Sequence, residues 1–234
     1  MTKAATRKRS ARAPSGPIAG GKDPRTRRGK ATQGRLLEAA RSELVERRGV
    51  LEVDSVARRA GVSVGLIYRH FGSKAGLVGA VVQAFYRRFE DEVITSNPAP
   101  GADWVEREHV RTVRAVAFHY EDPLAPVVLS SLHLEPAVAA LEARQLDAHI
   151  EMSADNVAYG QRAGLVPKRI DPRFAGAMVL GGLRRVLVDA LGREPRPPRE
   201  EVAAQLWRFV AAVLGLSKSG AGQPRSPRRK RRGS

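Results

Sequence analysis

The chain has no cysteine among its 234 residues. This excludes a disulfide scaffold, a zinc–thiolate site and a cysteine nucleophile. It fits a reducing cytoplasm, which is the expected location. No run of about 18 apolar residues occurs, so no membrane span is expected. The N-terminus is basic, but no apolar stretch follows it, so no Sec-type signal peptide is expected. Catalytic constellations are missing as well. There is no carboxylate pair, no Ser/His/Asp set and no metal cluster, and His109, His119, His133 and His149 lack metal-ligand spacing. One segment, Gly16 to Lys22, has the spacing of a phosphate-binding loop. Asp23 stands where a hydroxyl should reach magnesium, no strand precedes it, and Pro17 removes a backbone donor. No enzyme activity, metal or cofactor is therefore expected.

Acidic residues are scarce at both ends. Residues 1–30 carry ten Lys/Arg against Asp23 alone, and residues 217–234 carry seven Lys/Arg and no acid. These two segments supply all but one of the +17 formal charges, so the middle of the chain is nearly neutral. Basic ends attract any polyanion, and they equally fit a solubilising extension. Residues 1–29 are rich in Ala, Pro, Gly, Ser and Arg and cannot bury enough apolar surface to fold, so both 1–29 and 217–234 are expected to be disordered tails.

What remains is helical in pattern, and the expected class is all-α. Leu36, Leu37, Ala40 and Leu44 share one helix face, with Thr32 as the predicted N-cap and Gly49 as the stop. Short helices are predicted near 53–59 and 63–70, then a long one over 74–94. After the Asn97–Gly101 loop, further helices are predicted near 103–121, 123–133, 135–163, 172–192 and 199–216. Asp171-Pro172 is a start signal, cap then N1 proline.

The stretch Val53–Leu77 meets the physical needs of a helix-turn-helix. Ala57 is small where two helices must cross. Gly61 tolerates positive φ in the turn. Ile67 can anchor the second helix, with Val56, Ala60, Val62 and Phe71 completing the buried set. Val64, Gly65, Tyr68 and Arg69 then face outward. Gly65 lets the backbone approach DNA, Arg69 can contact guanine or phosphate, and Tyr68 and His70 can donate to phosphate. On spacing alone Tyr68 fits a packing role equally well, and Arg69 fits a solvated surface position. Lys74 opens the next helix, where a cation opposes the helix dipole unless a phosphate sits nearby. Ser63 and Thr32, at their helix starts, complete the candidate DNA-contacting set.

The run Ala57-Arg-Arg-Ala-Gly61-Val-Ser63, then Gly65-Leu-Ile-Tyr68-Arg-His-Phe71, then Ser73-Lys74 and Leu77, closely resembles the TetR/AcrR family of bacterial transcriptional regulators. The strong likeness covers about 32–88. A weaker one continues through Gly164-Leu-Val-Pro, Asp171-Pro172 and the two last helices. The chain departs from the family pattern at Glu52, where a hydroxyl cap is usual, at Leu66, where a small hydroxyl residue often contacts phosphate, and at Ala75, which is often acidic. The resemblance implies a three-helix DNA-binding domain over about 30–92, with the helix-turn-helix at about 52–71. It also implies a helical ligand-binding and dimerisation domain over 93–216. The implied function is a ligand-responsive homodimeric repressor on a near-palindromic operator in double-stranded DNA, paired through helices 172–192 and 199–216. The other class open to the sequence is a weakly specific, architectural DNA binder driven by its basic tails.

For a small-molecule effector the candidate lining residues are Trp104, Phe118, His119, Tyr120, His133, His149 and Tyr159. Each alone also fits an ordinary core or surface position. Gly181-Gly182 costs helix stability, roughly 1 kcal/mol per glycine against alanine. Close helix packing at a dimer interface would justify the pair, and a tolerated imperfection is the alternative.

Overall fold

The computed structural model describes residues 27–97, 99–130 and 136–216. Among these residues every regular element is helical and there is no strand, as expected for the all-α class. The predicted disordered tails fall on residues 1–26 and 217–234, which lie outside the described residues; 27–29 are helical.

Helix α1 (Arg27–Glu46) buries Leu36, Ala39, Ala40 and Leu44 along one stripe. The chain is already helical at Arg27, so Thr32 sits inside the helix and is not its N-cap. Helix α2 (Val53–Ala60) stops at Gly61, whose φ of 65° and ψ of 43° are left-handed. Helix α3 (Val64–Phe71) crosses it, and Val62 N–H returns to Ala57 O at 3.0 Å. Ile67 is wholly buried in the angle between them, worth about 1.5–3 kcal/mol of transfer free energy.

Helix α4 (Lys74–Phe89) is capped by Ser73, whose hydroxyl accepts from Gly76 N–H at 2.9 Å. Its stripe of Leu77, Val81, Val82, Phe85 and Phe89 continues the core out of the helix-turn-helix unit into the body of the molecule. The predicted α-helix to residue 94 gives way at Glu90 to a π-helical turn (Glu90–Ile94). Thr95 N–H closes it on Glu90 O at 2.9 Å.

The body comprises α5 (Trp104–Glu121), α6 (Ala125–Ser130), α7 (Pro136–Arg162), α8 (Pro172–Gly192) and α9 (Arg199–Val213). Helix α8 starts where the Asp171 side chain accepts from Phe174 N–H at 2.9 Å, the predicted cap and N1 proline. Helix α6 starts at Ala125, two residues later than predicted, because Asp122 holds Leu124 N–H at 2.8 Å in the turn before it; its predicted end at 131–133 lies outside the described residues. Helix α9 ends three residues early, and Gly215 beyond it takes a φ of 64°. One core runs from Leu36 through α4 and α5 to Leu206, and a second, smaller cluster of Trp104, Val157, Val166, Ala175, Val210 and Leu214 sits near the start of α5.

Candidate DNA interface and ligand cavity

The helix-turn-helix is braced from behind by acid. Glu43 of α1 is buried, accepts from Ser55 Oγ at 2.8 Å and pairs with Arg47 Nε at 3.0 Å. Arg59 of α2 forks onto Glu46, with Nη1 to Oε1 at 2.8 Å, and this holds the Glu46 carboxyl below its ordinary range. Glu52, where a hydroxyl cap is usual, makes no capping bond and takes Arg47 instead. The Arg59–Glu46 pair and the Ser55–Glu43 bond therefore fasten α2 to α1, and Arg47 ties Glu43 to Glu52 in the connection between them, so Arg47 and Arg59 are spent on structure.

The outward face carries different cations. Gly65, Tyr68 and Arg69 are exposed on α3, with Tyr68 at 45% of its full exposure. An added Cβ at Gly65 would meet nothing within 4 Å, so its lack of a side chain leaves the helix surface open to an approaching partner. Ser63 precedes α3 with an extended backbone and an exposed hydroxyl that makes no capping bond. Lys74 is exposed at the start of α4, and neither it nor Arg69 takes an ion-pair partner among the described residues. Val64 is half-buried and packs against the core, and His70 is half-buried with its ring 6.1 Å from that of Phe71. Thr32 lies half-buried within α1, away from any helix start. The structure thus gathers Ser63, Gly65, Tyr68, Arg69 and Lys74 on one accessible edge, with Val64, His70 and Thr32 less exposed.

A cavity of about 170 Å³ opens where the π-helical turn meets α5, α7, α8 and α9. Phe89, Val93 and Ile94 form one wall, and Trp104 and His149, two of the candidate lining residues, also border it. Sequence reasoning missed its polar lining. Glu108 and Arg111 of α5 form an ion pair, and Arg111 Nε donates to Val93 O at 3.2 Å. Asn156 of α7 accepts from Trp104 Nε1 at 3.1 Å. His149 Nε2 lies 3.0 Å from Glu90 Oε1, so the π-helical turn is tied to the cavity from two sides. Burial holds the His149 imidazole below its ordinary pKa, against the pull of Glu90. A signal for this lining did exist: Glu108 and Arg111 interrupt the apolar stripe that Trp104, Thr112 and Ala115 draw along α5.

The other candidates for the lining lie elsewhere. His119 borders a smaller space of about 50 Å³ shared with Tyr86 and Arg184. Its Nδ1 donates to Ala115 O at 2.7 Å, and burial pushes its pKa down to about 4. Phe118 is core, stacked 5.2 Å from Phe85. Tyr120 sends its hydroxyl to Pro197 O at 3.0 Å. Tyr159 is half exposed, with Arg162 over its ring. His133 lies outside the described residues. No group of acidic residues, cysteines and histidines able to hold a metal occurs among the described residues, and no helix there is long and apolar enough to cross a membrane.

Residues 36–81, spanning the helix-turn-helix, match the family model of bacterial regulatory proteins, tetR family. The helix-turn-helix segment is thus similar to the DNA-binding region of that family. The fold as a whole is similar to solved structures of such regulators. A TetR-family transcriptional regulator from Pectobacterium atrosepticum superposes with a TM-score of 0.65 at 22% identity, covering 83% of this chain and 99% of that one. GusR of Salmonella enterica gives 0.67 at 20% identity over 82% and 100%, and the fatty acid degradation regulator FadR of Bacillus halodurans gives 0.67 at 18% over 79% and 96%. No curated protein matches the chain. TetR-family regulators are DNA-binding transcription factors and not enzymes.

Proposed function

We propose that the chain is a cytoplasmic, ligand-responsive repressor that binds a near-palindromic operator as a homodimer. The carrying observation is mechanical. The rod that begins beside the exposed face of α3, at Lys74, ends in the π-helical turn whose Val93 and Ile94 wall the cavity. A ligand that prefers one setting of that turn shifts the population of DNA-competent molecules by its differential affinity, and nothing more is needed.

On this reading Gly65 admits the DNA backbone closely, Arg69 reads a base edge, and Ser63, Tyr68 and Lys74 hold phosphates. Val64 supplies apolar contact at the helix start, and His70 a donor at the edge. Dimerisation uses α8 and α9. Phe174, Met178, Val186 and Phe209 are large apolar residues left exposed there, Phe174 at 66%. Such a patch marks an association surface, and a two-fold dimer formed there would carry two α3 helices to read the half-sites of one operator.

Footprinting of the full chain on the DNA flanking its own gene tests the reading. The expected result is one protected inverted repeat, released by a cavity ligand. Uniform protection without a palindrome would overturn it in favour of weakly specific binding driven by charge.

A further inference from the structure

The polar groups of the cavity divide into those already satisfied and those left over. Glu108 and Arg111 neutralise each other, and Arg111 also holds Val93 O. Thr112 Oγ1 donates to Glu108 O at 2.8 Å. His149 is engaged by Glu90. Burial lowers its pKa, which favours the uncharged imidazole, and any proton it does take is matched by the Glu90 carboxylate. The lining therefore carries no uncompensated charge, and a charged guest would be desolvated without a counter-ion to receive it.

Two groups remain. Asn156 spends its carbonyl oxygen on Trp104 Nε1, and its NH₂ group takes no acceptor among the described residues. Ser153, three residues earlier on the same face of α7, takes no hydrogen-bond partner there either. An amide that has spent its oxygen can only donate. The rest of the wall is apolar, from Phe89, Val179, Leu180, Leu183 and Val210. At about 170 Å³ the space resembles an apolar protein cavity of about 150 Å³ that takes up benzene.

We propose that the effector is an uncharged molecule of one ring's size that presents a single hydrogen-bond acceptor, such as a ketone or ester carbonyl, to Asn156. The assignment rests on the ligand-responsive reading above and names its chemistry.

The chain contains two tryptophans, which supplies the assay. Trp207 stacks on His109, with ring centroids 4.9 Å apart, and is not part of the cavity wall. A Trp207→Phe background leaves Trp104 as the only reporter. Four one-ring probes are titrated: acetophenone, ethylbenzene, benzoate and benzylammonium. Acetophenone should saturate the Trp104 signal with an affinity about tenfold or more above benzoate and benzylammonium, and should also exceed ethylbenzene. Asn156→Asp keeps the acceptor for Trp104 and replaces the donors by a carboxylate oxygen. It should invert the order, so that benzylammonium binds more tightly than acetophenone. The wild-type series stands even if that variant fails to fold. Benzoate or benzylammonium binding as tightly as acetophenone, or no saturable acetophenone signal, would overturn the assignment. Operator binding is measured in parallel. Acetophenone that binds as expected but leaves operator affinity unchanged supports this assignment and defeats the ligand-responsive reading. A charged compound that releases the operator, with acetophenone unbound, does the reverse.

Discussion

Arg41 Nη2 and Asp122 Oδ1 lie 2.8 Å apart although 81 residues separate them in the chain. Arg41 belongs to α1 of the DNA-binding unit, and Asp122 caps the end of α5 in the body. The other oxygen of Asp122 takes Arg88 Nη1 of α4 at 2.9 Å, and Leu124 N–H donates to Oδ1 at 2.8 Å. The carboxylate is 2% exposed. Arg88 also places its guanidinium 5.2 Å from the centroid of the Phe118 ring. One buried acid thus joins the DNA-binding unit, the connecting rod and the body.

Replacing Asp122 by Ala removes the acceptor for three donors at once. Breaking a buried ion pair from one side costs about 3–5 kcal/mol, and the partial exposure of both arginines places this case near the lower bound. Asp122→Asn keeps an acceptor for Leu124 and one arginine, so it should lose less. Urea unfolding followed by circular dichroism checks the order. Equal midpoints for wild type and Asp122→Ala would show that the joint contributes nothing.

His119 gives the acid limb of the stability curve. Its pKa is about 4 in the folded chain and about 6.5 unfolded, so the unfolded state takes up the proton first as pH falls. The sign follows: stability is intact above pH 6.5, declines between 6.5 and 4, and levels off below. The shift corresponds to roughly 3 kcal/mol. His119→Phe removes the titration while keeping a ring against Phe85, Phe89 and Phe118. The variant should gain on wild type by about that amount between pH 7 and pH 4. His149, also held down by burial, is present in both proteins and cancels. A difference that does not change with pH would rule the mechanism out.

Local spacing made the helix-turn-helix legible. Ala57, Gly61 and Ile67 do their work within ten residues of one another, and their types follow from steric need. The Asp122 joint was not legible, because its partners lie 34 and 81 residues away and any of the six α1 and α4 arginines would have matched by charge. The π-helical turn escaped because Val93 continues the α-helical stripe, and only the Arg111 and His149 links show why the backbone widens there. Tyr120 looked like a cavity residue by composition, but its hydroxyl is satisfied 77 residues away at Pro197.

Gly181 and Gly182 look alike in sequence and differ in place. A Cβ on Gly182 would come within 2.5 Å of the Phe209 ring, whereas one on Gly181 meets nothing within 4 Å. Gly181→Ala should therefore raise stability by up to roughly 1 kcal/mol through helix propensity alone. Gly182→Ala must push the ring of Phe209 outward, into the exposed apolar face proposed for dimerisation. Its effect should fall on association more than on folding. Sedimentation across a dilution series should show a weaker dimer for Gly182→Ala and an unchanged one for Gly181→Ala. Identical behaviour of the two variants would remove Phe209 from the interface.

Arg69 and Lys74 are both cations without an acidic partner among the described residues, yet their settings predict different losses. Lys74 sits at the positive end of α4, where its charge opposes the helix dipole. Ser73 satisfies only Gly76 N–H, so the N–H groups of Lys74 and Ala75 remain available beside the ammonium. On the proposed reading they together receive a phosphate and make no base contact. Lys74→Ala should weaken operator and random DNA alike, and should reduce the slope of log affinity against log salt by about 1. Arg69 projects from the exposed face of α3, next to the opening left by Gly65. Its fork matches a guanine edge, a contact worth about 1–3 kcal/mol of discrimination. Arg69→Ala should therefore bring operator affinity towards that for random DNA. Titrations at several salt concentrations on operator and scrambled duplexes separate the two. If Arg69→Ala lowers both affinities equally, the residue holds phosphate, and sequence is read by Tyr68 or by the shape of the DNA.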